Sequence, residues 1–297
     1  GFYLLSSSFV ILFSNSTGHD VFQMPKTTPS PDTLAVIVKR HSTNYKMSKR
    51  TYLLLFTYLL LTSCLTNKKI ANSQTYTFRL DTLTLFDESR NREIPVALYK
   101  PLIDSPQIII FSHGYGQNQG GTYLNYTYLT EYLASKGYFV VSIQHELPTD
   151  SLIPSGIPQI VRRPFWERGA GNILFVIKEL EKSNPELDFK HITLIGHSNG
   201  ADMSAFFPQK YPNIVDKIIT LDNRRMPLSR TINPKVYSLR SSDQPADEGV
   251  LPSAEEQAKY RMTIIKLPNT IHNDMDDRAD NRQRKEIRSY IMTFLKD

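Results

Sequence analysis

The sequence predicts an α/β fold in which a mainly parallel central sheet starts with antiparallel strands and carries helices on both faces. Over residues 107–297, apolar runs rich in β-branched side chains alternate with segments of helical periodicity. Such alternation is typical of parallel strands joined by crossover helices. Between residues 75 and 100, polar and apolar side chains alternate instead, a pattern typical of antiparallel strands that expose one face to water.

The strands and helices follow from these patterns in chain order. Alternating or continuous apolar runs predict strands at 75–80, 81–86, 94–100, 107–112, 138–143, 191–195, 216–221, 234–240 and 261–267. Apolar side chains at helical spacing predict helices at 123–135, 171–180, 201–207 and 280–294. The longest irregular segment, 146–166, contains four prolines, and a loop of this length is usually functional or disordered.

Length and charge narrow the class of protein. With 297 residues, of which 40% are hydrophobic, the chain can form one large α/β domain or two small ones. The formal net charge is +6, and the basic residues are spread along the chain apart from the pairs Arg162-Arg163 and Arg224-Arg225. This distribution indicates a solvated surface and argues against a nucleic-acid partner.

Residues 47–64 have the three-part layout of an export signal. A basic start, MSKR (47–50), precedes an apolar run over 51–61 that is too short to span a bilayer. The run ends in LTSC (61–64), which resembles the lipobox of bacterial lipoproteins. The resemblance implies cleavage before Cys64, a diacylglycerol on its sulfur and an anchor in the membrane of the bacterial cell envelope. The alternatives are a plain signal peptide with a chance cysteine and an uncleaved anchor.

The export signal divides the chain into four parts. Because such signals stand at the N-terminus, residues 1–46 are interpreted as a doubtful upstream extension, expected to be disordered, or as an unusual leader. Residues 47–63 are the predicted signal peptide, residues 64–74 a polar tether and residues 75–297 the α/β domain. The single cysteine, Cys64, excludes an internal disulfide.

The segment GHSNG (196–200) carries the strongest chemical signal in the chain. It fits the pattern Gly-x-Ser-x-Gly and stands between a predicted strand and a predicted helix, which is the setting of a nucleophile elbow. Its glycines leave room for neighbouring backbone, and Ser198 is expected at the tip of a strained turn with its hydroxyl exposed. The alternative is an ordinary glycine turn that carries a surface serine.

The loop HGYG (113–116) follows a predicted central strand and is expected to form half of an oxyanion hole. Its two glycines allow backbone N–H groups to turn outward. The predicted oxyanion donors are the N–H groups of Tyr115 and of Asn199, which follows the serine. A simple tight turn is the alternative for this loop. His113 is interpreted as a brace of the loop, and His145, at the end of a predicted strand, as a structural residue.

A serine hydroxyl needs a base, and the base needs a carboxylate that orients it. His272 follows the last predicted strand and gives the chain order Ser…Asp…His of α/β-hydrolases; a surface loop histidine is the alternative. The carboxylate is open between two residues. Asp222 ends the strand after the nucleophile helix, and Asp243 follows the next strand, which is the commoner arrangement in this fold. The aspartate that is not the acid is expected to brace a loop.

Phe165 and Trp166 stand at the end of the irregular segment 146–166. They are candidates for an apolar wall around the acyl or alkyl group of a substrate. Packing of both rings against the sheet is an equal alternative. The preferred acyl chain and leaving group depend on how this segment folds over the site.

Several segments resemble the secreted platelet-activating-factor acetylhydrolases and their dienelactone-hydrolase-like bacterial relatives. They are IFSHGYG (110–116), LASKGYFVV (133–141) with His145, GHSNG (196–200), LD (221–222) with PL (227–228), and HN (272–273). The resemblance covers roughly residues 105–275. It implies an α/β-hydrolase fold, serine esterase or lipase activity, no metal and no cofactor, with Asp222 as the acid and the same two oxyanion donors. Asn199 in place of a bulkier residue, and Arg224 and Arg225 in place of aromatic or apolar ones, weigh against a phospholipid substrate.

The combined hypothesis is a carboxylic ester hydrolase that forms an acyl-enzyme on Ser198 and acts on a small-molecule ester. A peptidase that uses the same residues is one alternative. A lipid-anchored binding protein, built on a hydrolase scaffold without activity, is the other.

Overall fold

Eight strands form one sheet in the computed structural model, which describes residues 74–104 and 106–297. In chain order they are β1 (Phe78–Asp87), β2 (Arg92–Pro101), β3 (Gln107–Ser112), β4 (Phe139–Ile143), β5 (Asp188–His197), β6 (Lys217–Leu221), β7 (Lys235–Arg240) and β8 (Thr263–Lys266). Their order across the sheet is β1-β2-β4-β3-β5-β6-β7-β8. The pairs β1·β2 and β2·β4 are antiparallel, and all other neighbours are parallel. The predicted sheet type is therefore confirmed.

The strands predicted at 75–80 and 81–86 are a single strand, β1. It pairs with β2 along its whole length. Its sequence contains no glycine or proline, so nothing interrupts the alternating pattern between the two predicted strands. At this edge of the sheet, Leu80 and Phe86, which lie on the same face of β1, are exposed to solvent, in keeping with an antiparallel strand that has one wet face.

Helices cover both faces of the sheet. They are α1 (Thr127–Ser135), α2 (Pro158–Val161), α3 (Arg163–Ser183), α4 (Asn199–Lys210), α5 (Ala254–Tyr260) and α6 (Asn281–Lys296). Short 3₁₀ turns lie at Glu88–Arg90, Thr122–Leu124 and His272–Met275. α3 begins at Arg163, earlier than the predicted residue 171. Pro164 occupies its first turn, where the fixed φ and missing N–H of proline favour the start of a helix.

The core lies in two layers, one on each face of the sheet. In one layer, Trp166 of α3 and Phe206 of α4 belong to the same buried cluster as Ile110 of β3. In the other layer, Leu129 of α1 clusters with Phe111 of β3 and with residues of α6. Successive residues of β3 thus point into opposite layers. This explains why a parallel strand inside the sheet is apolar at nearly every position.

The carboxyl ends of β3, β5, β6 and β7 lie side by side at one edge of the sheet. The loops that leave these ends, and the turn after the neighbouring parallel strand β8, carry the candidate residues of the active site. In open α/β sheets, ligands bind at this edge. The topology therefore gathers residues that are far apart in the chain.

The parts predicted upstream of the sheet lie outside the described residues. They are the extension (1–46), the signal peptide (47–63), Cys64 and all of the tether (64–74) except its last residue, and their boundaries stay predictions. The described residues belong to one unit, Ala71–Asp297. Among them, no helix combines the length and the apolar character needed to cross a membrane.

Candidate active site

Ser198 occupies the turn between β5 and α4 at the carboxyl edge of the sheet. Its backbone has a φ of +52° and a ψ of −118°, a combination that costs a non-glycine residue about 1–3 kcal/mol. Two hydrogen bonds hold it. Ser198 N–H donates to the Leu221 carbonyl of β6 at 2.9 Å, and the Ser198 carbonyl accepts from Asp202 N–H at 3.0 Å. The sheet and the helix together therefore impose the strained turn.

Gly196 and Gly200 allow this turn to close. A Cβ on Gly196 would clash with the Gly200 carbonyl, and a Cβ on Gly200 would clash with the carbonyl oxygens of Ser112 and His113. The absence of a side chain at Gly200 lets α4 begin directly against the loop that follows β3. The serine turn and the HGYG loop (113–116) therefore lie in contact.

His272 lies in the 3₁₀ turn after β8, and its ring joins the serine to a carboxylate. Nε2 lies 2.9 Å from Ser198 Oγ, and Nδ1 lies 2.5 Å from Asp222 Oδ2. Because a carboxylate only accepts, Nδ1–H donates to Asp222, and Nε2 of the neutral ring accepts from the serine hydroxyl. This tautomer can remove the hydroxyl proton.

Asp222 is fully buried at the end of β6, where three donor groups of Arg240 and Ser241 stabilise its charge. Oδ1 accepts from Ser241 N–H at 2.9 Å and from the Arg240 guanidinium at 2.8 Å, and Oδ2 accepts from Ser241 Oγ–H at 2.7 Å. Burial alone would raise the pKa of Asp222, but the hydrogen bond from His272, the charge of Arg240 and the Ser241 donors outweigh it and lower this pKa. The carboxylate is therefore ionised at neutral pH.

Asp243, the other candidate acid, contacts His272 at a different atom. Its exposed carboxylate accepts the His272 main-chain N–H at 2.7 Å, whereas Asp222 is hydrogen-bonded to the ring. The structure thus brings both aspartates to the histidine. Asp222 orients the imidazole, and Asp243 holds the backbone of the loop that carries it.

Tyr115 and Asn199, the predicted oxyanion donors, lie on two segments that adjoin Ser198. Tyr115 lines the cleft at the serine together with Gly114 and Gly116. Asn199 is the first residue of α4, so its N–H has no carbonyl partner within the helix. Partial positive charge also collects at a helix N-terminus, where it favours an anion. The HGYG loop therefore presents backbone to the cleft, whereas Asn199, 1% exposed, begins α4 directly after Ser198 and does not line it.

A cleft of about 620 Å³ opens at Ser198 and His272. Much of its lining is polar and comes from the loops, including Gln117, Thr122, Asn125, Asn273, Asp276 and Arg278. Within the described residues, no group of three or more His, Cys, Asp and Glu side chains is arranged to hold a metal ion. The cleft has the size of a small-molecule site.

Phe165 and Trp166, predicted as an apolar wall, do not line this cleft. Both rings are buried in the first turns of α3. Trp166 Nε1–H donates to Asn199 Oδ1 at 3.1 Å, so the indole is hydrogen-bonded to the first residue of α4 from the interior of the protein. The physical reason is the early start of α3, which draws the end of the predicted loop into the helix and its rings into the interior.

His197 and Tyr126 connect three loops of the site, a role that the sequence does not reveal beyond the place of His197 next to the serine. His197 Nε2–H donates to the His272 carbonyl at 3.0 Å. Tyr126 O–H donates to His197 Nδ1 at 2.8 Å and accepts from Gly114 N–H at 3.0 Å. Burial, followed by the nearby His272, lowers the pKa of His197 to about 3, so the ring is neutral, as this pattern of bonds requires.

His113 and His145 belong to the support of the HGYG loop. His113 Nδ1–H donates to the Gly114 carbonyl at 2.6 Å, and its Nε2 accepts from His145 N–H at 3.0 Å. The His145 ring lies 3.0 Å from Ser112 Oγ. Burial, with His113 and two arginines nearby, keeps the pKa of His145 well below its usual range. These contacts are structural.

Arg240 and Ser241, which stabilise Asp222, are not singled out by the sequence. Both stand at the carboxyl end of β7, one strand along from Asp222 at the end of β6. Polar residues at adjacent strand ends are the signal that could have found them, because such ends meet at one edge of the sheet.

No protein-family profile matches the chain, and no curated protein sequence matches it. Several solved structures do align with it. One from a study of two fungal esterases of Rhizomucor miehei aligns over 92% of this chain and 97% of its own, with a TM-score of 0.56 and 13% identity. A bacterial heroin esterase aligns over 80% of this chain and 89% of its own, with a TM-score of 0.55 and 12% identity. An acylaminoacyl peptidase from Pyrococcus horikoshii aligns over 79% of this chain but 43% of its own, with a TM-score of 0.53 and 16% identity.

These proteins share an architecture with the chain, the α/β-hydrolase fold. The eight-stranded sheet with two antiparallel pairings at its start and the serine turn between β5 and α4 agree with that fold. The predicted fold is therefore confirmed. At identities of 12% to 16%, the likeness shows the fold.

The neutral, buried His197 leads to a prediction about acid stability. Its pKa is about 3 in the folded protein and about 6.5 in an unfolded chain, so the unfolded state binds the extra proton between these values. The stability that the neutral ring contributes is complete above pH 6.5 and is lost as the pH falls, by up to about 1.4 kcal/mol per pH unit.

We therefore expect His197→Asn to lose less unfolding free energy than the wild type between about pH 7 and about pH 4.5. Urea unfolding of both proteins across this range measures the two slopes. Titrating groups far from His197 contribute equally to both proteins and cancel in the difference. Identical slopes would contradict the low pKa of His197.

Proposed function

We propose that this protein is a serine hydrolase that cleaves carboxylic esters through an acyl-enzyme on Ser198. The observation that carries the proposal is the hydrogen-bonded series from Ser198 Oγ through the His272 ring to the Asp222 carboxylate, with separations of 2.9 and 2.5 Å. A hydroxyl in reach of a base, and a base oriented by a carboxylate, is the arrangement that activates a serine. The esterase structures that share this fold support an ester as the substrate.

In the proposed reaction, Ser198 Oγ attacks the ester carbonyl carbon while its proton passes to His272 Nε2. Asp222 stabilises the imidazolium that forms, and the N–H groups of Tyr115 and Asn199 receive the oxyanion. Loss of one such donor typically costs about 3 kcal/mol of transition-state stabilisation. His272 then protonates the leaving alkoxide. In the second half of the reaction, His272 takes a proton from water as the water attacks the acyl-enzyme, and it returns that proton to Ser198 Oγ as the acid leaves.

A peptidase is the second candidate, because a structure of an acylaminoacyl peptidase also shares the fold. The chemistry at Ser198 would be the same, with an amine in place of the alkoxide. Parallel assays with p-nitrophenyl esters and with aminoacyl p-nitroanilides distinguish the two. Turnover of the anilides alone would favour the peptidase.

We predict that a fluorophosphonate probe labels the wild type and that Ser198→Ala abolishes both labelling and ester turnover. Without the nucleophile, kcat/KM should fall by about 10⁴-fold or more. Ser289→Ala, which changes an exposed serine of α6, is the matched control and should behave as the wild type. A wild type that is neither labelled nor active would instead support the binding-protein alternative.

Asp222 and Asp243 are distinguished by a pair of equal substitutions. Asp222→Asn should lower kcat by about 10³- to 10⁴-fold, because the amide favours the wrong tautomer of His272 and leaves the imidazolium without its counter-charge. Asp243→Asn should cost less than about tenfold, because the amide oxygen can still accept the His272 main-chain N–H. Steady-state kinetics of both variants tests this assignment, and the reverse order of effects would make Asp243 the acid.

We also propose that Cys64 carries a lipid anchor, which places the domain at the bacterial cell envelope. The layout of residues 47–64 supports this proposal. Expressed in bacteria with a radiolabelled fatty acid, the wild type and a Thr66→Ser control should be labelled and pellet with membranes. Cys64→Ser should be unlabelled. Absence of label from the wild type would refute the anchor.

A further inference from the structure

We propose that Glu146 is a positioning residue that sets the distance between the two oxyanion donors, Tyr115 N–H and Asn199 N–H. The inference rests on the proposed hydrolase function and concerns the same site. Glu146 stands in the loop after β4 and is 1% exposed. A buried carboxylate is costly to keep unless it makes hydrogen bonds, so its contacts have a structural purpose.

The carboxylate bridges the two halves of the predicted oxyanion hole. Its Oε2 accepts Gly116 N–H at 3.3 Å, next to Tyr115 in the HGYG loop. Its Oε1 accepts from Nδ2 of Asn199 at 3.2 Å. One rigid planar group therefore ties the loop after β3 to the first residue of α4.

The bridge leaves the middle donor of the loop free. Gly114 N–H donates to Tyr126 O–H at 3.0 Å, and Gly116 N–H donates to Glu146. The peptides on both sides of Tyr115 are thus held. Among residues 74–104 and 106–297, no hydrogen bond engages the Tyr115 N–H itself. The loop is clamped so that this donor stays available to an oxyanion.

The Asn199 side chain is fixed from the opposite side. Its Oδ1 accepts from Trp166 Nε1–H at 3.1 Å and from the Arg162 guanidinium at 3.4 Å. The amide oxygen faces these donors, so the NH₂ group must face Glu146. A short amide at this position meets both demands at once.

The geometric role and the charge of Glu146 predict opposite effects of neutralising it. A negative charge beside a developing oxyanion opposes it, so an electrostatic role alone would make Glu146→Gln faster. Positioning makes it slower, because the glutamine NH₂ group faces a second donor and pushes one anchor away. The sign of the change in kcat therefore identifies the role.

In the full chain, Glu146→Gln should lower kcat for a p-nitrophenyl ester by about 10- to 100-fold with KM nearly unchanged. Affinity for an alkyl trifluoromethyl ketone should fall by the same factor. With this inhibitor, Ser198 Oγ bonds to the ketone carbon, its proton passes to His272, and the carbonyl electron pair becomes an oxyanion. Glu181→Gln, on the exposed face of α3, is the matched control and should match the wild type.

Rescue by the double variant Glu146→Gln with Asn199→Asp distinguishes positioning from a loss of folding. The glutamine oxygen then accepts Gly116 N–H, and its NH₂ group donates to the new carboxylate, which also accepts from Trp166 and Arg162. The double variant should recover kcat and ketone affinity to within about threefold of the wild type. Glu146→Asp, too short to reach both partners, should lose activity as Glu146→Gln does, and circular dichroism reports the folded fraction of each.

Unchanged or raised kcat and ketone affinity in Glu146→Gln, in an active and folded protein, would overturn this inference alone. A double variant that folds but recovers nothing would overturn it as well. A wild type that is neither active nor labelled by fluorophosphonate would overturn the proposed function together with it.

Discussion

The site depends on the close approach of two backbones at Gly200. With hydrogen in place of a side chain, α4 begins against the carbonyl oxygens of Ser112 and His113. The loop after β3 cannot withdraw without opening the packed layer beneath it. β6 adds the Leu221 carbonyl, which holds the Ser198 backbone. The position of the serine is therefore a result of sheet packing, and rigid elements rather than loops supply its precision.

A buried charge pair adds the second constraint. Arg240, 5% exposed, contacts the fully buried Asp222 and also donates to the Asn223 carbonyl. A lone carboxylate at this depth would take up a proton and lose its value as a partner for His272. Because β6 supplies the anion, β7 the cation and the turn after β8 the imidazole, three successive parallel strands share one electrostatic unit.

Periodicity was sufficient to predict the sheet, and the serine motif with the chain order of Ser, Asp and His was sufficient to bring the main residues together, because parallel strands end at one edge. The sequence could not show which of Asp222 and Asp243 contacts the His272 ring. Both follow parallel strands, and only the direction of each side chain distinguishes them. The sequence also left open whether Phe165 and Trp166 form a wall of the site or pack inside, because it did not show that α3 begins as early as Arg163. The bridge through Glu146 joins distant loops and has no local pattern.

The hydrogen bond from His197 to the His272 carbonyl affects how rigid the site is when a ligand binds. It fastens the turn that carries the imidazole to the residue beside the serine, inside the core. Packed core elements therefore hold the imidazole beside the serine. We therefore expect a preorganised cleft whose shape is set by folding and determines which ligands fit.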